Sequence, residues 1–342
     1  MHVIALVEAL DHVCCRYRIA PFVPYLADRG VTMEVVAIEH SRLARMRQFR
    51  SLRGADAVIV QRMSLPIWQL VLLRRQAQRL IYDVDDAKFQ RETTHPKGPA
   101  SCRRLGQYWA MVYAADAVIV GNRYLQQVTA RYTEADRVHV VPTCVEPARY
   151  TPADHRRAGP AVKLAWIGQR ATFPFLRAAG AHLTMAARRL PGLELRVIAD
   201  YIEPMAGLEA VLCPWSSATE GAQLADADIG ITWLPDDSWC RGKCGLKVLQ
   251  YMAAGLPVVA NPVGVHPEMV AHGQTGFLAT TPDQWADAIE RLAGDPDLRR
   301  RMGAAARQRI QQYYSVDTWG PRLAALIEQA VGAVPQSYRK AA

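Results

Sequence analysis

No stretch of this 342-residue sequence approaches the roughly 18 consecutive apolar residues that a membrane-crossing helix needs. The opening MHVIALVEAL has neither the basic leader nor the long apolar centre of a secretion signal, so the chain is expected to begin at Met1 and to work in the cytoplasm. Cysteine is sparse and unpaired. Cys14, Cys15, Cys102, Cys144, Cys213, Cys240 and Cys244 form no CxxC motif and accompany no histidine cluster, which argues against a disulfide scaffold and against a structural zinc. The adjacent Cys14 and Cys15 read as small, semi-buried residues in a reducing compartment. Aromatic residues make up only 8% and do not interleave with the basic ones, so nucleic acid is not expected as a partner despite a formal charge of +9.

That positive charge is unevenly placed. Residues 1–150 hold 21 Lys and Arg against 14 Asp and Glu, and the remainder holds 20 against 18. Much of the excess lies in SRLARMRQFRSLRG, where Arg42, Arg45, Arg47, Arg50 and Arg53 alternate with Leu43, Met46, Phe49 and Leu52 at near-helical spacing. One reading is a basic amphipathic helix suited to an anionic membrane, with the protein peripheral on its inner face, or to a phosphate-bearing partner. The other is a solvated helix packing its apolar stripe on the core.

The chain is long enough for two domains of roughly 150 residues. Short Val- and Ile-rich runs recur at 2–7, 33–38, 56–60, 79–84, 116–120 and 138–142, with helix-like segments between them, which predicts parallel strands in βαβ units. The segment ADHRRAGPA at 153–161 has the polar, proline-bounded look of a linker. The pattern restarts at 162–168, 193–199, 228–234 and 257–262, and two further helices follow, broken at Gly294 to Pro296. The expected fold is therefore α/β, with two doubly wound Rossmann-like domains facing a cleft, residues 1–152 and 160–315, and a C-terminal helix in 316–342 returning to the first domain. Ligands in such sheets bind at the carboxyl ends of the strands.

The stretch RGKCGLKVLQYMAAGLPVVA, 241–260, sets Lys243, Lys247 and Gln250 among glycines just before an apolar block. Leu246 and Leu249 at helical spacing predict a helix beginning near Gly245, with Lys247 and Gln250 projecting from another face. A helix N-terminus attracts an anion through its unpaired N–H groups and its dipole, and glycines allow close backbone approach. The alternative is a snorkelling lysine and a solvated glutamine. In IYDVDDAKF, Asp83, Asp85 and Asp86 follow an apolar strand, where carboxylates meet a ligand; the alternative is that Asp85 or Asp86 caps the next helix or terminates the strand. His95 carries the same ambiguity, while Glu220 reads as a helix cap. Arg16 and Arg18, read as lying near the start of the helix in CCRYRIAPFVPYL, oppose its dipole there and point to a phosphate or an acceptor; a pair with Asp11 or Glu8 is the other option.

The run KCGLKVLQYMAAGLPVVANPVGVHPEMVAHGQTGFLA resembles the donor-site signature of glycosyltransferase family 4, the group 1 glycosyltransferases of GT-B fold, and the likeness extends to AADAVIVGN, VVPTCVEPARYTP and DPDLRRRMGAAARQRIQQYYS. The resemblance implies a retaining transferase that moves a sugar from a nucleoside diphosphate to a hydroxyl acceptor, often lipid-linked and destined for cell-surface polysaccharide or glycolipid. No cofactor is implied beyond the donor, and no metal motif is visible. Departures from the pattern are specific. The two family glutamates fall at Gly242 and Gln250, so donor recognition is left to Lys243, to the backbone of Cys244, Gly245 and Leu246, and to Gln250 on the ribose. Arg170 is displaced by one place and Phe175 stands where a lysine is usual, which turns attention to Lys247 and Thr172 for the diphosphate. Asp85, where relatives often place a histidine, and Asp86 would orient sugar or acceptor hydroxyls. Loss of the glutamates also motivates two alternatives: a weakened donor-binding partner subunit, and a GT-B nucleotide-sugar epimerase.

Overall fold

The structure, a computed structural model, describes residues 1–93, 95–156, 162–205 and 207–332. Part of the expected linker and the last ten residues of the chain therefore lie outside the described residues. The chain divides into two compact units. Unit 1 comprises Met1–Cys144, Asp237–Cys244 and the segment from Val316 onward, and unit 2 comprises Val145–Asp236 and Gly245–Ser315. The stretch singled out in the sequence is thus shared: the chain passes from unit 1 to unit 2 between Cys244 and Gly245.

Unit 1 holds a six-stranded parallel sheet of β1 (His2–Val7), β2 (Thr32–Ala37), β3 (Ala57–Gln61), β4 (Leu80–Val84), β5 (Ala117–Val120) and β6 (Val138–Val140), ordered β2-β1-β3-β4-β5-β6. In the centre, Ile59 of β3 stands opposite both Ala5 of β1 and Ile81 of β4. Every residue of β3, β4 and β5 is buried, as a parallel sheet covered on both faces requires. One face carries Phe49, Leu70, Leu73, Tyr108 and Met111; the other carries Ile19, Phe22 and Leu26 with Leu323 and Ile327 of the helix Val316–Gly332.

Unit 2 repeats the plan with β7 (Lys163–Ile167), β8 (Glu194–Ala199), β9 (Glu209–Pro214), β10 (Ile229–Thr232), β11 (Val258–Ala260) and β12 (Gly276–Leu278), ordered β12-β11-β10-β7-β8-β9, all parallel. Its core includes Trp166, Phe173, Leu183, Trp285 and Ile289. The ten expected strands are all present. The remaining two, β9 and β12, lie at the sheet edges, the first largely exposed and the second three residues long, so neither carries an apolar run that stands out.

The basic segment forms the helix Arg42–Ser51, capped by Ser41, but its apolar stripe divides. Phe49 and Leu52 enter the core, Met46 is half-buried and Leu43 is exposed, so the single amphipathic face expected from spacing does not exist as one surface.

Candidate active site

In unit 1 the site is built at the carboxyl end of β4. No helix follows Asp85 and Asp86 until Cys102–Ala114, which Ser101 caps, so the helix-capping alternative for these carboxylates is not realised. Asp86 accepts from the Ala87 N–H at 3.1 Å through one oxygen and from Arg62 Nη2 at 3.1 Å through the other. Arg62 Nη1 lies 3.7 Å from Asp85 Oδ2 and 2.5 Å from Cys14 Sγ. Arg62 directly follows β3 with φ at 65°, a left-handed backbone that costs a side-chain-bearing residue of order 1 kcal/mol or more. Its N–H is held by the Asp83 carbonyl at 2.6 Å. The strained backbone keeps this guanidinium aimed at both carboxylates. Spacing gave no sign of it.

Asp85 is buried among charged partners. Burial pushes its carboxyl up, but Arg62 and Arg18 together with the Cys14 thiol outweigh that and hold it below the usual carboxylate range. It is therefore ionised at neutral pH. Its Oδ1 is buried and has no hydrogen-bond partner among the described residues. His95, by contrast, accepts a local turn bond from the Lys97 N–H through its Nδ1.

The segment Asp237–Cys244 completes this part of the site. Asp237 caps the short helix Ser238–Arg241, accepting from Cys240 N–H at 2.8 Å. Asn122, at the end of β5, caps the helix Arg123–Thr129 through Oδ1 and turns its Nδ2 on the carbonyls of Gly242 and Lys243, both at 3.1 Å, and of Arg241 at 3.3 Å. The Cys244 thiol donates to the Asp85 carbonyl at 3.1 Å, and Lys243 Nζ lies 5.3 Å from the centre of the Trp239 ring. Gly242 has an ordinary φ of −75°, yet a Cβ there would stand 2.8 Å from Ala87 Cβ and 3.0 Å from Ala87 N. A glutamate at this position, where the resemblance would place one, would set its first side-chain atom against Ala87. Asn122 is a further residue that spacing did not single out; its signal was an asparagine placed between a strand end and a helix in AVIVGN.

The arginines of the first helix need correction. Val13–Arg18 starts at His12, whose Nδ1 accepts from Cys14 N–H, so Arg16 and Arg18 lie in its last turn, where positive charge suits the dipole. The argument for an anionic partner at a helix start therefore lapses for both. Arg18 is buried and grips Asp83, not Asp11 or Glu8, with Nε to Oδ2 at 3.0 Å and Nη2 to Oδ1 at 2.5 Å, and its Nη1 donates to the Val141 carbonyl at 3.0 Å. This is an internal brace. Arg16 stacks 5.4 Å from the Tyr17 ring.

Unit 2, taken by itself, holds Lys247 at the carboxyl end of β7. Gly245 sits at φ 65°, and a Cβ would meet Met269 Sδ at 2.5 Å and Val265 Cγ2 at 2.8 Å, so both conformation and space select glycine before the helix Leu246–Ala253. Leu246 is only half-buried, and the buried side chains begin at Val248 and run almost continuously to Ala253. Gln250 is among them at 5% exposure and so does not share a solvated face with Lys247. Lys247 Nζ donates to the Ile167 carbonyl at the end of β7, lies 3.5 Å from Thr172 Oγ1 and sits 4.3 Å from the Trp166 ring centre. Gly168 makes the approach possible, since a Cβ there would come within 2.6 Å of Lys247 Nζ. Thr172 spends its hydroxyl proton on the Gln169 carbonyl at 3.0 Å and accepts from Gln169 N–H at 3.1 Å, so it closes a turn instead of offering a proton to a ligand. Arg170 is exposed, its guanidinium 4.1 Å from the Tyr201 ring centre. Glu220 is the first residue of the helix Glu220–Ala225, whose N-cap is Thr219, so in place of the cap expected of it the buried carboxylate accepts from Tyr150 Oη at 3.1 Å and Trp215 Nε1 at 2.9 Å.

Residues 231–309, spanning β10 to the middle of the helix Pro296–Tyr313, match the family described as Glycosyl transferases group 1. Alpha-maltose-1-phosphate synthase of Mycolicibacterium smegmatis is 32% identical over 243 residues, and the chain spans 60% of that relative's length. Sucrose-phosphate synthase from Thermosynechococcus elongatus superposes with a TM-score of 0.76 at 16% identity, over 97% of this chain and 100% of that one. Anabaena HepE, in complex with UDP and glucose, superposes at 0.69 with 15% identity, over 96% and 100%. At such identities the superpositions establish the GT-B fold. The likeness to the group 1 glycosyltransferases rests on the matched segment, residues 231–309, and on a relative of which the chain covers 60%.

Proposed function

We propose that the chain is a retaining, family 4 glycosyltransferase that moves a sugar from a nucleoside-diphosphate sugar to a hydroxyl acceptor without a metal ion. The observation that carries this reading is the placement of Lys247, its ammonium at the carboxyl end of β7 and its backbone in the first turn of a helix whose N-terminus follows a left-handed glycine. An ammonium and unpaired N–H groups at one strand end suit a diphosphate, and stabilising that leaving group is the main catalytic demand of the reaction. In this reading Lys247, Arg170 and the N–H groups at Gly245 and Leu246 meet phosphate, Gln250 meets the ribose, and Lys243 with the Cys244 backbone meets the donor sugar. Thr172 acts by fixing the turn that Lys247 touches. Asp85, ionised and with an open oxygen, accepts a hydrogen bond from a sugar or acceptor hydroxyl, and Asp86 orients Arg62 beside it.

The acceptor we propose is lipid-linked, in cell-surface polysaccharide or glycolipid synthesis, with the protein peripheral on an anionic membrane face. The unequal charge of the two halves supports this. No helix among the described residues is long and apolar enough to cross a membrane.

A thermal-shift panel of UDP-, GDP-, dTDP- and ADP-sugars tests the donor, since a ligand at 100 times its Kd adds about 2.7 kcal/mol. Turnover assays then separate the readings. The tight contact of Gly242 with Ala87, which excludes a side chain at that position, favours as second reading a donor-binding partner subunit. That reading requires donor stabilisation with neither transfer nor hydrolysis. Conversion of the donor sugar with no acceptor present would instead identify an epimerase.

A further inference from the structure

The connections leaving β2, β3, β4 and β5 carry the helices Arg42–Ser51, Ile67–Arg74, Cys102–Ala114 and Arg123–Thr129. All four bury side chains in one cluster with the same sheet face, so their outer sides form one surface of unit 1. Large apolar residues crowd that surface. Ile67, Trp68 and Val71 line the outer side of the second helix and Leu105, Trp109 and Tyr113 the outer side of the third, each between 39% and 65% exposed. The spacing on the third helix, i, i+4, i+8, makes an unbroken stripe. Two neighbouring helices of a water-facing layer have no reason to place two tryptophans and a tyrosine outward, and a continuous patch of this kind marks an interaction surface.

Charge selects the occupant. None of the four helices contains Asp or Glu, while Arg42, Arg47, Arg50, Arg103, Arg104 and Arg123 are exposed on them. A second copy docking by two-fold symmetry would set this arginine field against itself, a like-charge arrangement that disfavours the pairing. Arginine beside tryptophan, tyrosine and branched aliphatics is instead the composition of a surface seated at the headgroup and acyl boundary. We propose that the outer face of this helical layer is a docking surface for an anionic phospholipid bilayer, with Trp68 and Trp109 as the inserted anchors and the arginines on the headgroups. This replaces the expectation that Arg42–Arg53 docks by itself, because Phe49 and Leu52 are spent in the core and Leu43 is the one fully exposed apolar residue of that helix.

The inference rests on the reading of a membrane-peripheral protein, and its test uses neither donor nor acceptor. The full chain is sedimented with vesicles of phosphatidylcholine alone and of phosphatidylcholine with phosphatidylglycerol, with brominated lipid as a fluorescence quencher. The expected result is binding to the anionic vesicles only, weakened by salt, with tryptophan quenching. Trp68→Ala with Trp109→Ala, and separately Arg103→Glu with Arg104→Glu, should each weaken binding about tenfold or more at unchanged thermal midpoint. Tyr313→Ala, an exposed aromatic of unit 2, should leave it unchanged. A wild-type protein that stays in the supernatant overturns the proposal, as do variants that bind like wild type. A concentration-dependent dimer abolished by Trp109→Ala would make a second copy the occupant and overturn it too. None of these failures touches the transferase reading, which alone fails if the protein binds vesicles yet turns over no donor.

Discussion

The two units share a sheet plan and differ in what they do with charge at the carboxyl ends of their strands. Unit 1 locks carboxylates and guanidinium groups to one another: Arg18 holds Asp83, and Arg62 holds Asp85 and Asp86. Unit 2 sets Lys247 on a backbone carbonyl, beside a hydroxyl and against an indole face. Internal pairing fixes geometry, because a charge buried beside its partner cannot move without exposing an uncompensated one. One topology therefore yields a braced corner of paired charges in unit 1 and, in unit 2, a lysine set on backbone, hydroxyl and ring.

The contrast breaks most visibly at the Arg18 pair. Arg18→Met leaves Asp83 buried beside nothing that neutralises it, and urea unfolding should show a loss of about 3–5 kcal/mol. Adding Asp83→Leu should restore most of that, since two apolar side chains replace the pair with no orphaned charge. If Arg18→Met alone costs under about 1 kcal/mol, the pair braces nothing and the corner is not rigid for the reason given.

A buried histidine of unit 2 should respond to acid in its own way. His266 is 1% exposed, with Nδ1 2.8 Å from the Asn261 carbonyl; burial drives its pKa down to about 4, and the bond to that carbonyl opposes the shift only in part. The folded value lies below the unfolded one of about 6.5, so the unfolded chain binds the extra proton first. Stability is unaffected by this residue above about pH 6.5, falls as pH drops from there to about 4, and then levels, a total near 3 kcal/mol. Unfolding at a series of pH values checks this, and His266→Gln should flatten that part of the curve.

Much of this arrangement could be read from the sequence, and the reason is physical. Buried parallel strands must be apolar on both faces, so Val and Ile runs announce β1 to β8, β10 and β11, whereas the exposed edge strand β9 and the three-residue β12 carry no such demand. The start of a helix at Gly245 was legible because helical periodicity and a glycine coincide there. The roles of Arg18 and Arg62 were not, since their partners Asp83 and Asp86 are 65 and 24 residues distant in sequence and no local period encodes a pairing that only the sheet brings about. Gly242 was noticed as an absence, and only the position of Ala87 supplies its cause.

Lys247→Ala should sharpen the comparison from the side of unit 2. If its ammonium meets phosphate, affinity for a nucleoside diphosphate falls by about 10- to 100-fold, or about 1.4–2.8 kcal/mol, while affinity for the matching nucleoside hardly changes. Calorimetric titration of the two ligands measures this. Equal losses for both would place the lysine's contribution in the fold of the loop after β7 instead of in anion binding.

The smallest expected effect concerns the two glycines on either side of the passage from unit 1 to unit 2. Gly245 has a left-handed backbone as well as close neighbours, so Gly245→Ala meets both strain and Met269. Gly242 has a helical backbone that any residue adopts, and its only constraint is Ala87. Gly242→Ala should therefore cost about 1–2 kcal/mol, all of it from overpacking. Ala87→Gly removes the methyl it would strike, so the pair Gly242→Ala with Ala87→Gly should be more stable than the sum of the single changes by about 1 kcal/mol, a coupling that a double-mutant cycle in urea resolves. No such rescue is available to Gly245→Ala through Met269→Ala, because the positive φ remains. Additive effects at Gly242 and Ala87 would mean that Gly242 is required for another reason, and the missing glutamate would then need a different explanation from lack of room.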